Sequence, residues 1–365
     1  MDNLIISYGI YESDGRLQCL QRVFSINGKT TILSTTSNNQ YSLFRIKKNN
    51  YLKLKTLLRF YLYVFKNLKQ IRKSEVIIFD NYFVSPLAHI LMKIYPNKIY
   101  IQDVRELYLF SELKTKKSKF FMFMEYQLMK KVNLVIAANE FRTEIMKKIY
   151  PEISNIITFE NIRFLPKHNT DLIIKNKYDN LFTDRINVVS TGGLSVRRGV
   201  LDILESFIKL ESNYHLYLIG GGNSTDTSLV NSFIDENNLQ DKVTLIDKVS
   251  MDELQYIVSK CQIGIVNYHK EDYNNLYCSS GKIYEYLNEG LPIVTTDNPP
   301  LVELCKKNEI GIAGNNYFDM IKKVAQNIDF YKNNVKRYIN NISPEKYNEY
   351  IASEIENIIQ NKLSE

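Results

Sequence analysis

The chain has 365 residues, which is more than a single hydrophobic core usually organises and enough for two domains. Its 44% hydrophobic residues, with 26 Tyr and 18 Phe, exclude a chain that is disordered throughout. Residues 1–165 have 26 Lys and Arg against 13 Asp and Glu, a net charge of +13, whereas residues 166–365 have 21 against 27, a net charge of −6. A basic half indicates an anionic partner, which could be nucleic acid, an acidic membrane surface or a phosphorylated substrate.

The sequence disfavours several kinds of site and location. The longest apolar stretch, residues 57–65, contains Arg59 and ends before Lys66, so it is far shorter than the ~20 residues that span a bilayer. The amino terminus lacks the basic and apolar segments of a signal peptide, and we expect a cytoplasmic protein. The four cysteines form no C-x-x-C pair and the four histidines have no metal-ligand spacing, so we expect neither disulfides nor a metal cofactor.

The first half of the chain alternates short β-branched runs with longer helical patterns. This alternation predicts an α/β fold with a doubly wound parallel sheet. The predicted strands are residues 3–8, 30–34, 75–79, 98–102 and 133–137, and the predicted helices cover about 16–26, 53–72, 84–95, 117–131 and 140–149.

The second half repeats the pattern after a polar stretch at residues 167–171, which we interpret as the linker. The final helical segment, about 343–362, places Tyr347, Ile351, Ile355 and Ile358 on one stripe, so it needs a hydrophobic surface to lie on. The predicted strands are residues 187–190, 215–219, 243–246, 263–266 and 292–295, and the predicted helices lie near 199–211, 226–237, 251–259, 280–289 and 299–306.

These patterns predict two Rossmann-like domains, residues 1–165 and 166–342. Residues 343–365 form a C-terminal helix that we expect to pack back towards the first domain. Ligands of open α/β sheets bind at the carboxyl ends of the strands, so we expect the chemistry in a cleft between the two domains.

Two glycine-rich turns follow strands of the second domain. Gly192 and Gly193 come after one strand, and Arg198 comes just before the next helix. Gly220, Gly221 and Gly222 directly follow another strand. Glycine lets a backbone approach a phosphate closely, and arginine adds a charge-assisted hydrogen bond. An ordinary tight turn with a solvated arginine pair is the alternative, since neither turn is a dinucleotide-binding or P-loop motif.

The most specific motif runs from residue 279 to residue 297. Ser280 and Gly281 precede a helix, Lys282 lies in its first turn, and Glu285 follows on nearly the same face. Backbone N–H groups and Lys282 can hold a diphosphate here, while Glu285 accepts hydrogen bonds from a sugar diol. Helix capping by Ser280 and a surface pair of Lys282 with Glu285 are the alternatives.

In order and spacing, these three motifs resemble the donor-binding domain of the family 4 glycosyltransferases, which have the GT-B fold of two Rossmann-like domains. The resemblance covers about residues 185–315. It implies that Glu285 binds the ribose of a nucleotide, that Arg198 and Lys282 hold its diphosphate, and that the three glycines 220–222 border the nucleotide pocket. It also implies sugar transfer from a nucleotide-diphosphate-sugar with retention of anomeric configuration and without a metal ion.

The chain departs from that family at two positions. The family often has two glutamates separated by seven residues, and at the earlier position this chain has Tyr277. Many members have an arginine shortly after the first strand of this domain, where this chain has Gly193 or Leu194. Binding of the diphosphate would therefore depend more on Arg198 and Lys282.

The first domain should supply the acceptor site. It resembles the family in its alternating pattern and in residues 101–106. Asp103, Arg105 and Glu106, at the end of a strand, are our candidates for catalytic residues, and Gly15 with Arg16 is a weaker candidate for the acceptor side. An internal ion pair of Asp103 with Arg105 is the alternative. Retaining transfer of this type relies on the departing phosphate and on positioning, so we assign no nucleophile.

Two basic stretches of the first half alternate with aromatic residues. Such stretches suit an anionic membrane surface, although a helix that faces the core with a solvated basic rim would look the same. In the first stretch Lys47, Lys48, Lys53, Lys55, Arg59, Lys66, Lys69, Arg72 and Lys73 surround Phe60, Tyr61, Tyr63 and Phe65, and in the second Lys114, Lys116, Lys117 and Lys119 precede residues 120–123.

We therefore predict a metal-independent hexosyltransferase that acts on a glycan or lipid-linked acceptor in cell-surface polysaccharide or glycolipid assembly. Peripheral attachment to the inner face of the plasma membrane would fit this function. The alternatives are a GT-B nucleotide-sugar epimerase, a non-catalytic GT-B partner subunit and a polyanion-binding protein. We expect no nucleic-acid partner, because the basic residues follow no nucleic-acid-binding motif.

Overall fold

The chain folds into two α/β units, each built on a sheet of parallel strands. The computed structural model describes residues 1–37, 43–46, 53–162 and 171–364. Met1–Asn161 with Pro344–Glu365 form one compact unit, and Ile162–Ser343 form the other. The boundary that we placed after residue 165 lies outside the described residues, as do Lys47, Lys48 and residues 167–170 of the proposed linker.

The first unit is built on a seven-stranded sheet with the order β3-β2-β1-β4-β5-β6-β7, in which all paired strands are parallel. Its central strand has seven consecutive buried residues, as expected where helices cover both faces of a sheet. The strands are β1 (Asp2–Ile10), β2 (Lys29–Thr36), β3 (Phe44–Arg45), β4 (Val76–Asp80), β5 (Ile99–Val104), β6 (Leu134–Ala137) and β7 (Ile156–Thr158).

Helices cover both faces of this sheet. Apolar residues of α2, α4 and α5 share one core with the sheet, and those of α1 and α16 share the core on the other face. The helices are α1 (Gly15–Ile26), α2 (Leu54–Lys66), α3 (Leu68–Lys73), α4 (Ser85–Ile94), α5 (Lys116–Met129), α6 (Glu140–Ile149) and, at the C-terminus, α16 (Pro344–Ser364).

The apolar stripe of the C-terminal helix lies on the first unit. Ile351 and Ile355 of α16 pack with Val23 and Phe24 of α1, and Oη of Tyr347 accepts a hydrogen bond from the backbone N–H of Glu160 at 2.7 Å. Although α16 is the last element of the chain, it completes a core whose strands come from the first 160 residues.

The second unit contains a six-stranded parallel sheet with the order β10-β9-β8-β11-β12-β13. The first strand of this unit, β8, lies between β9 and β11, so the chain changes direction across the sheet at β8. The strands are β8 (Ile186–Thr191), β9 (Tyr214–Ile219), β10 (Val243–Ile246), β11 (Ile263–Val266), β12 (Ile293–Thr295) and β13 (Gly311–Ala313). The helices are α7 (Leu172–Tyr178), α8 (Val200–Lys209), α9 (Ser224–Glu236), α10 (Met251–Ser259), α11 (Tyr273–Leu276), α12 (Gly281–Asn288), α13 (Pro299–Asn308), α14 (Tyr317–Gln326) and α15 (Ile328–Asn341).

The predicted alternation of strands and helices is confirmed in both units, and the differences concern short or unpatterned elements. The helix predicted at 53–72 is two helices, because the chain leaves helical geometry at Asn67, whose side chain donates to the carbonyl of Tyr63 at 2.8 Å. The edge strands β3, β7 and β13 have only two or three residues, too few for an alternating pattern to appear. Four helices were not predicted: α7, α11, α14 and α15.

Candidate functional site

The loops that follow β8, β9 and β11 meet at the carboxyl edge of the six-stranded sheet. These three strands are neighbours in the order β9-β8-β11, so their carboxyl ends are adjacent. The loop after β8 contains Gly192 and Gly193, and the loop after β9 contains Gly220, Gly221 and Gly222. The two glycine-rich motifs of the sequence are therefore side by side, at the position where open α/β sheets bind ligands.

The two glycine loops are in backbone contact. The N–H groups of Gly192 and Gly193 both donate to the carbonyl of Ile219, at 3.1 and 3.2 Å. A β-carbon on Gly193 would lie 2.5 Å from the carbonyl oxygen of Gly221, and one on Gly220 would lie 2.7 Å from the nitrogen of Gly193. Gly193 and Gly220 also have φ values of +97° and +115°. Only glycine fits this contact, which leaves backbone rather than side chains at the surface of the loops.

Lys282 is placed beside these loops by the packing of α12. Tyr286, one turn further along this helix, is fully buried, and its Oη lies 2.8 Å from the backbone nitrogen of Thr191, which donates to it. The ring of Tyr286 packs directly over Gly264 of β11, where a β-carbon would lie 2.4 Å from it. This contact fixes α12 against β8 and β11. The half-buried Lys282 consequently lies against Gly192, at the mouth of the first glycine loop.

Two cations share one aromatic ring at this position. The guanidinium carbon of Arg198 lies 5.6 Å from the ring centroid of Tyr268, and Nζ of Lys282 lies 5.7 Å from the same centroid. Within the part of the chain that the structure describes, neither cation is ion-paired with a carboxylate. Burial and the neighbouring charge of Arg198 lower the pKa of Lys282 from 10.5 to about 8, and Glu285 opposes this shift. The positive charge of Arg198 and Lys282 is therefore not fully neutralised by the residues around them.

The amino end of α12 adds hydrogen-bond donors to this region. Ser280 is the N-cap residue, but its side chain does not cap the helix, and its buried hydroxyl has no hydrogen-bond partner among the described residues. Since the first N–H groups of a helix have no partner within the helix, they and the serine hydroxyl can bind an anion. Capping by Ser280, the alternative that we considered, is not what the structure shows. Glu285, one turn inside the helix, is 6% exposed.

The two adjacent arginines point to different surroundings. Arg197 is exposed and donates to Glu271 at 2.9 Å, so it is the solvated member of the pair. The carbonyl of Arg198 accepts a hydrogen bond from the buried side chain of Asn267 at 2.6 Å. This bond connects the end of β11 to the turn that carries Arg198. Asn267 and Tyr268 were not predicted as site residues, although their position directly after β11 is a signal that could have identified them.

Of the residues that we predicted in the first unit, Asp103 and Arg105 lie in a buried ion-pair network. Asp103, on β5, is completely buried and accepts two hydrogen bonds from Arg16, at 2.6 and 3.2 Å. Arg16 also donates to the carbonyl of Phe159 at 2.5 Å, and its guanidinium lies 4.5 Å from the Phe159 ring. The partner of Asp103 is thus Arg16, which we had ranked as a weaker acceptor candidate. Both Asp103 oxygens are engaged, an arrangement that favours the internal ion pair over a catalytic role.

Arg105 joins further carboxylates at the same edge of the first sheet. It donates to both oxygens of Asp80, at the end of β4, and to Asp14 at 2.6 Å. Its distance from Asp103 is 4.0 Å. Burial and the nearby Asp103 and Asp14 carboxylates raise the pKa of Asp80, which Arg105 only partly offsets. Sequence reasoning missed both Asp80, the last residue of β4, and Asp14, which lies four residues after β1 ends.

Glu106 is only partly exposed and lies close to a second buried acid. Glu125 of α5 is 1% exposed and accepts a hydrogen bond from the side chain of Gln102 at 2.8 Å. Burial raises the pKa of Glu125 to about 8, with a further contribution from the negative charges of Asp103 and Glu106. Among the described residues, no group of three or more His, Cys, Asp and Glu side chains has an arrangement that could hold a metal ion.

A model of a known protein family matches most of the second unit. Residues 185–329 match the family model described as "Glycosyl transferases group 1". The match includes both glycine loops, Arg198, Lys282 and Glu285, and covers most of the second unit. No curated protein sequence matches the chain.

Solved structures with a similar fold include known glycosyltransferases. Sucrose-phosphate synthase from Thermosynechococcus elongatus has 14% sequence identity and a TM-score of 0.72, with 100% of this chain and 99% of that chain covered. HepE from Anabaena, solved in complex with UDP and glucose, has 12% identity and a TM-score of 0.73, covering 98% and 100%. WaaG, a glycosyltransferase involved in lipopolysaccharide biosynthesis, has 13% identity and a TM-score of 0.67, covering 96% and 98%. The predicted GT-B fold is confirmed, and together with the family match these likenesses support a glycosyltransferase.

Proposed function

We propose that this protein transfers a sugar from a nucleotide-diphosphate-sugar to a glycan or lipid-linked acceptor with retention of anomeric configuration, as a member of glycosyltransferase family 4. The observation that carries the proposal is the position of Arg198 and Lys282, two cations without a carboxylate partner among the described residues, 5.6 and 5.7 Å from the ring of Tyr268. They lie beside the glycine loops and the amino end of α12. A diphosphate supplies the negative charge that this arrangement lacks.

The same arrangement provides the electrostatic stabilisation that sugar transfer needs. When the bond between the anomeric carbon and the diphosphate breaks, negative charge develops on the departing phosphate oxygen. Positive groups that are already in place stabilise this charge without reorganisation, and they act more strongly where water is partly excluded. Arg198, Lys282 and the N–H groups of α12 would fill this role. We propose on this basis that the transfer requires no divalent metal.

Other residues of the site fit the remainder of the donor. We assign the ribose hydroxyls to Glu285, whose buried carboxylate on α12 would accept their hydrogen bonds. The glycine loops leave a surface without side chains against which a nucleotide can lie. Uridine diphosphate is the first nucleotide to test, because the similar fold of HepE was solved with UDP and glucose and with UDP-glucose.

Polysaccharide or glycolipid assembly at the cell surface is our proposed setting. WaaG, which has a similar fold, takes part in lipopolysaccharide biosynthesis, and the basic first unit of this chain suits an acceptor held at an anionic membrane. No described helix is long and apolar enough to cross a membrane. We propose attachment through a surface of the folded chain, and one surface of this kind is considered below.

A thermal-shift measurement with UDP, GDP, ADP, dTDP and CMP tests the donor site. A nucleotide at ~100 times its dissociation constant stabilises the folded protein by about 2.7 kcal/mol, which shifts the melting temperature by several degrees. We expect one diphosphate to stabilise the wild type and to lose most of this effect in Glu285→Ala and Arg198→Gln. Arg197→Gln is the matched control, since it removes the adjacent charge that pairs with Glu271.

Turnover of the corresponding nucleotide-sugar tests the reaction itself. We expect hydrolysis or transfer in which the product keeps the anomeric configuration of the donor sugar, as detected by NMR. We also expect the rate to be undiminished in the presence of a metal chelator. Stabilisation by no nucleotide diphosphate, or equal stabilisation of Arg198→Gln and Arg197→Gln, would contradict the proposed donor site. Inversion of configuration would refute the proposed retention without contradicting the proposed donor site.

A further inference from the structure

Helix α2 has a row of leucines on its outer surface. Leu54, Leu58 and Leu62 are 56%, 52% and 61% exposed, and they follow one another at intervals of four residues along one stripe. The opposite side of the helix contributes Leu57, Phe60 and Val64 to the core. The outer leucines therefore add nothing to the packing of the unit, although three exposed leucines in a row are costly in water.

Cations line one side of this stripe. On a helix with 100° per residue, Lys55, Arg59 and Lys66 lie next to the leucines, and all three are exposed. Within the described residues none of them has an ion-pair partner. The sequence around them is unusual as well, because residues 15–74 contain 13 Lys and Arg and no Asp or Glu.

The absence of exposed carboxylates extends to the neighbouring helices α4 and α5. These helices cover the same face of the sheet as α2, since their apolar residues share one core with it. Among the described residues of the three helices, the one acid is the buried Glu125. Their exposed surface adds apolar groups (Ile90, Ile94, Phe120 and Phe123) and cations (Lys93, Lys116 and Lys117).

This combination has clear borders. Helix α6 has the exposed acids Glu140 and Glu144, and Tyr150, directly after this helix, packs its ring against Tyr126 of α5. On the opposite face of the sheet, α16 contains Glu345, Glu349, Glu354 and Glu356. The acid-free surface is thus confined to one side of the first unit rather than being a general property of it.

We propose that the outer surface of α2, extended by α4 and α5, docks onto an anionic lipid membrane, with Leu54, Leu58 and Leu62 inserted among the headgroups and Lys55, Arg59 and Lys66 against the lipid phosphates. Charge complementarity favours a polyanionic partner. The exposed leucines favour a lipid surface over a nucleic acid or an acidic glycan, because neither of these offers an apolar layer to bury them.

The residues differ from those that the sequence suggested. The aromatic residues of α2 were our candidates for membrane contact, but Phe60 is buried, and Tyr61, Tyr63 and Phe65 pack partly against the core. That part of the stretch is the core-facing helix that we gave as the alternative. The outward leucines of the same helix now carry the inference, which does not depend on the donor site in the second unit.

Co-sedimentation of the full chain with lipid vesicles tests the proposal. We expect binding to vesicles of phosphatidylcholine mixed with phosphatidylglycerol, weak binding to phosphatidylcholine alone, and a decrease with salt. Lys55→Gln with Arg59→Gln should lower the partition coefficient about thirtyfold, since each cation near an anionic surface contributes ~1 kcal/mol. The control is Lys306→Gln with Lys307→Gln, which removes two exposed charges from α13 of the second unit.

Substitution of the leucines separates a membrane from other polyanions. Leu58→Ser should lower binding to the mixed vesicles about tenfold and leave binding to heparin unchanged, and the triple change with Leu54→Ser and Leu62→Ser should abolish vesicle binding. Leu229→Ser, an exposed leucine of α9, is the matched control. The melting temperature of each variant without ligand, compared with that of the wild type, shows whether the first unit remains folded.

Three results would overturn the proposal. The first is failure of the wild type to bind mixed vesicles. The second is equal binding by Leu58→Ser and Leu229→Ser. The third is binding to both vesicles and heparin that persists in the triple leucine variant and falls in Lys55→Gln with Arg59→Gln, which would identify the surface as a polyanion site. None of these results depends on whether UDP binds.

Discussion

The ammonium group of Lys282 occupies space that a side chain on residue 192 would need. A β-carbon built on Gly192 would lie 2.7 Å from Nζ of Lys282 and 2.6 Å from its Cε. Gly192 also has a φ of +99°, a backbone conformation that L-residues rarely adopt. The obstructing atoms are the end of a flexible side chain. An added methyl group would therefore displace the lysine more readily than it would disrupt the sheet.

The substitution Gly192→Ala should weaken binding of the nucleotide diphosphate about tenfold or more, because it moves a charge away from the phosphates. We expect the free energy of unfolding to fall by only about 1–2 kcal/mol, the cost of a β-carbon at this φ. Calorimetric titration with UDP and thermal unfolding of the free protein measure the two effects. Binding at the wild-type affinity would show that the position of Lys282 is irrelevant.

Two neighbouring glycines serve as controls for stability. Gly193→Ala should destabilise the protein more than Gly192→Ala, because its β-carbon would lie 2.5 Å from the backbone oxygen of Gly221, which cannot move aside easily. A β-carbon on Gly221 has no atom within 4 Å, so Gly221→Ala should leave the melting temperature of the free protein unchanged.

Replacement of Lys282 by methionine should raise the melting temperature of the free protein at pH 7 while removing its response to UDP. The folded state lowers the pKa of Lys282 to about 8 from 10.5, so the folded state disfavours the charged form. Below pH 8 the lysine is charged in both states and this cost is present. Between pH 8 and 10.5 the folded state loses the proton first, and the cost disappears. The gain from Lys282→Met should accordingly be smaller at pH 10 than at pH 7. A lower melting temperature of the free variant at pH 7 would indicate a structural lysine.

Affinity for a nucleotide diphosphate should depend on pH through the same group. Binding of an anion favours charged Lys282, so the dissociation constant should be nearly constant between pH 7 and 8. Above pH 8 the complex must take up a proton, and the affinity should fall by up to tenfold per pH unit. Titrations in two buffers of different ionisation enthalpy at pH 8.5 measure this proton uptake. Equal affinity at pH 7 and pH 9.5 without proton uptake would show that the charge of Lys282 does not contribute to binding.

The fold was largely predictable because parallel strands that are buried on both faces leave continuous β-branched runs in the sequence. All strands with four or more residues were predicted within one or two residues of their ends. The short edge strands β3, β7 and β13 were missed, whereas the equally short interior strand β12 was predicted because all three of its residues are buried. The break of the second helix at Asn67 depends on a side-chain hydrogen bond to Tyr63 that a residue pattern does not reveal.

The clustering of residues in the proposed donor site was more predictable than the pairing of charges in the first unit. Glycines, an arginine and a lysine that follow strands mark the carboxyl edge of a sheet, and the structure brings Gly192, Arg198 and Lys282 together there. Pairing of buried charges depends instead on contacts between residues distant in sequence. Asp103 lies 87 residues from Arg16, its ion-pair partner, and the sequence pointed to Arg105 because that residue is adjacent.

Asn267 should act as a positioning residue for Arg198. Its side chain donates to the Arg198 carbonyl at 2.6 Å, so Asn267→Ala frees the turn that holds this arginine beside Tyr268. We expect the dissociation constant for UDP to rise about fivefold to tenfold, in line with the loss of a hydrogen bond to a buried group. Asn334→Ala is the control: Asn334 is also buried and donates to a backbone carbonyl, that of Glu309 at 3.1 Å, before β13 begins. Both variants should lose similar stability, and only Asn267→Ala should bind UDP more weakly. Equal affinities would assign Asn267 a structural role alone.

The buried pair of Arg16 and Asp103 should contribute to stability, and its removal distinguishes a structural from a catalytic aspartate. Removal of one partner leaves an uncompensated charge in a fully buried position, which costs about 3–5 kcal/mol. Asp103→Asn and Arg16→Met should therefore each lower the melting temperature strongly. The double variant Arg16→Met with Asp103→Leu should recover much of this loss, since no charge remains unpaired. A structural pair predicts that transferase activity follows the fraction of folded protein in all three variants. If Asp103→Asn instead keeps the wild-type melting temperature and loses activity, the carboxylate has the catalytic role that its place at the end of β5 first suggested.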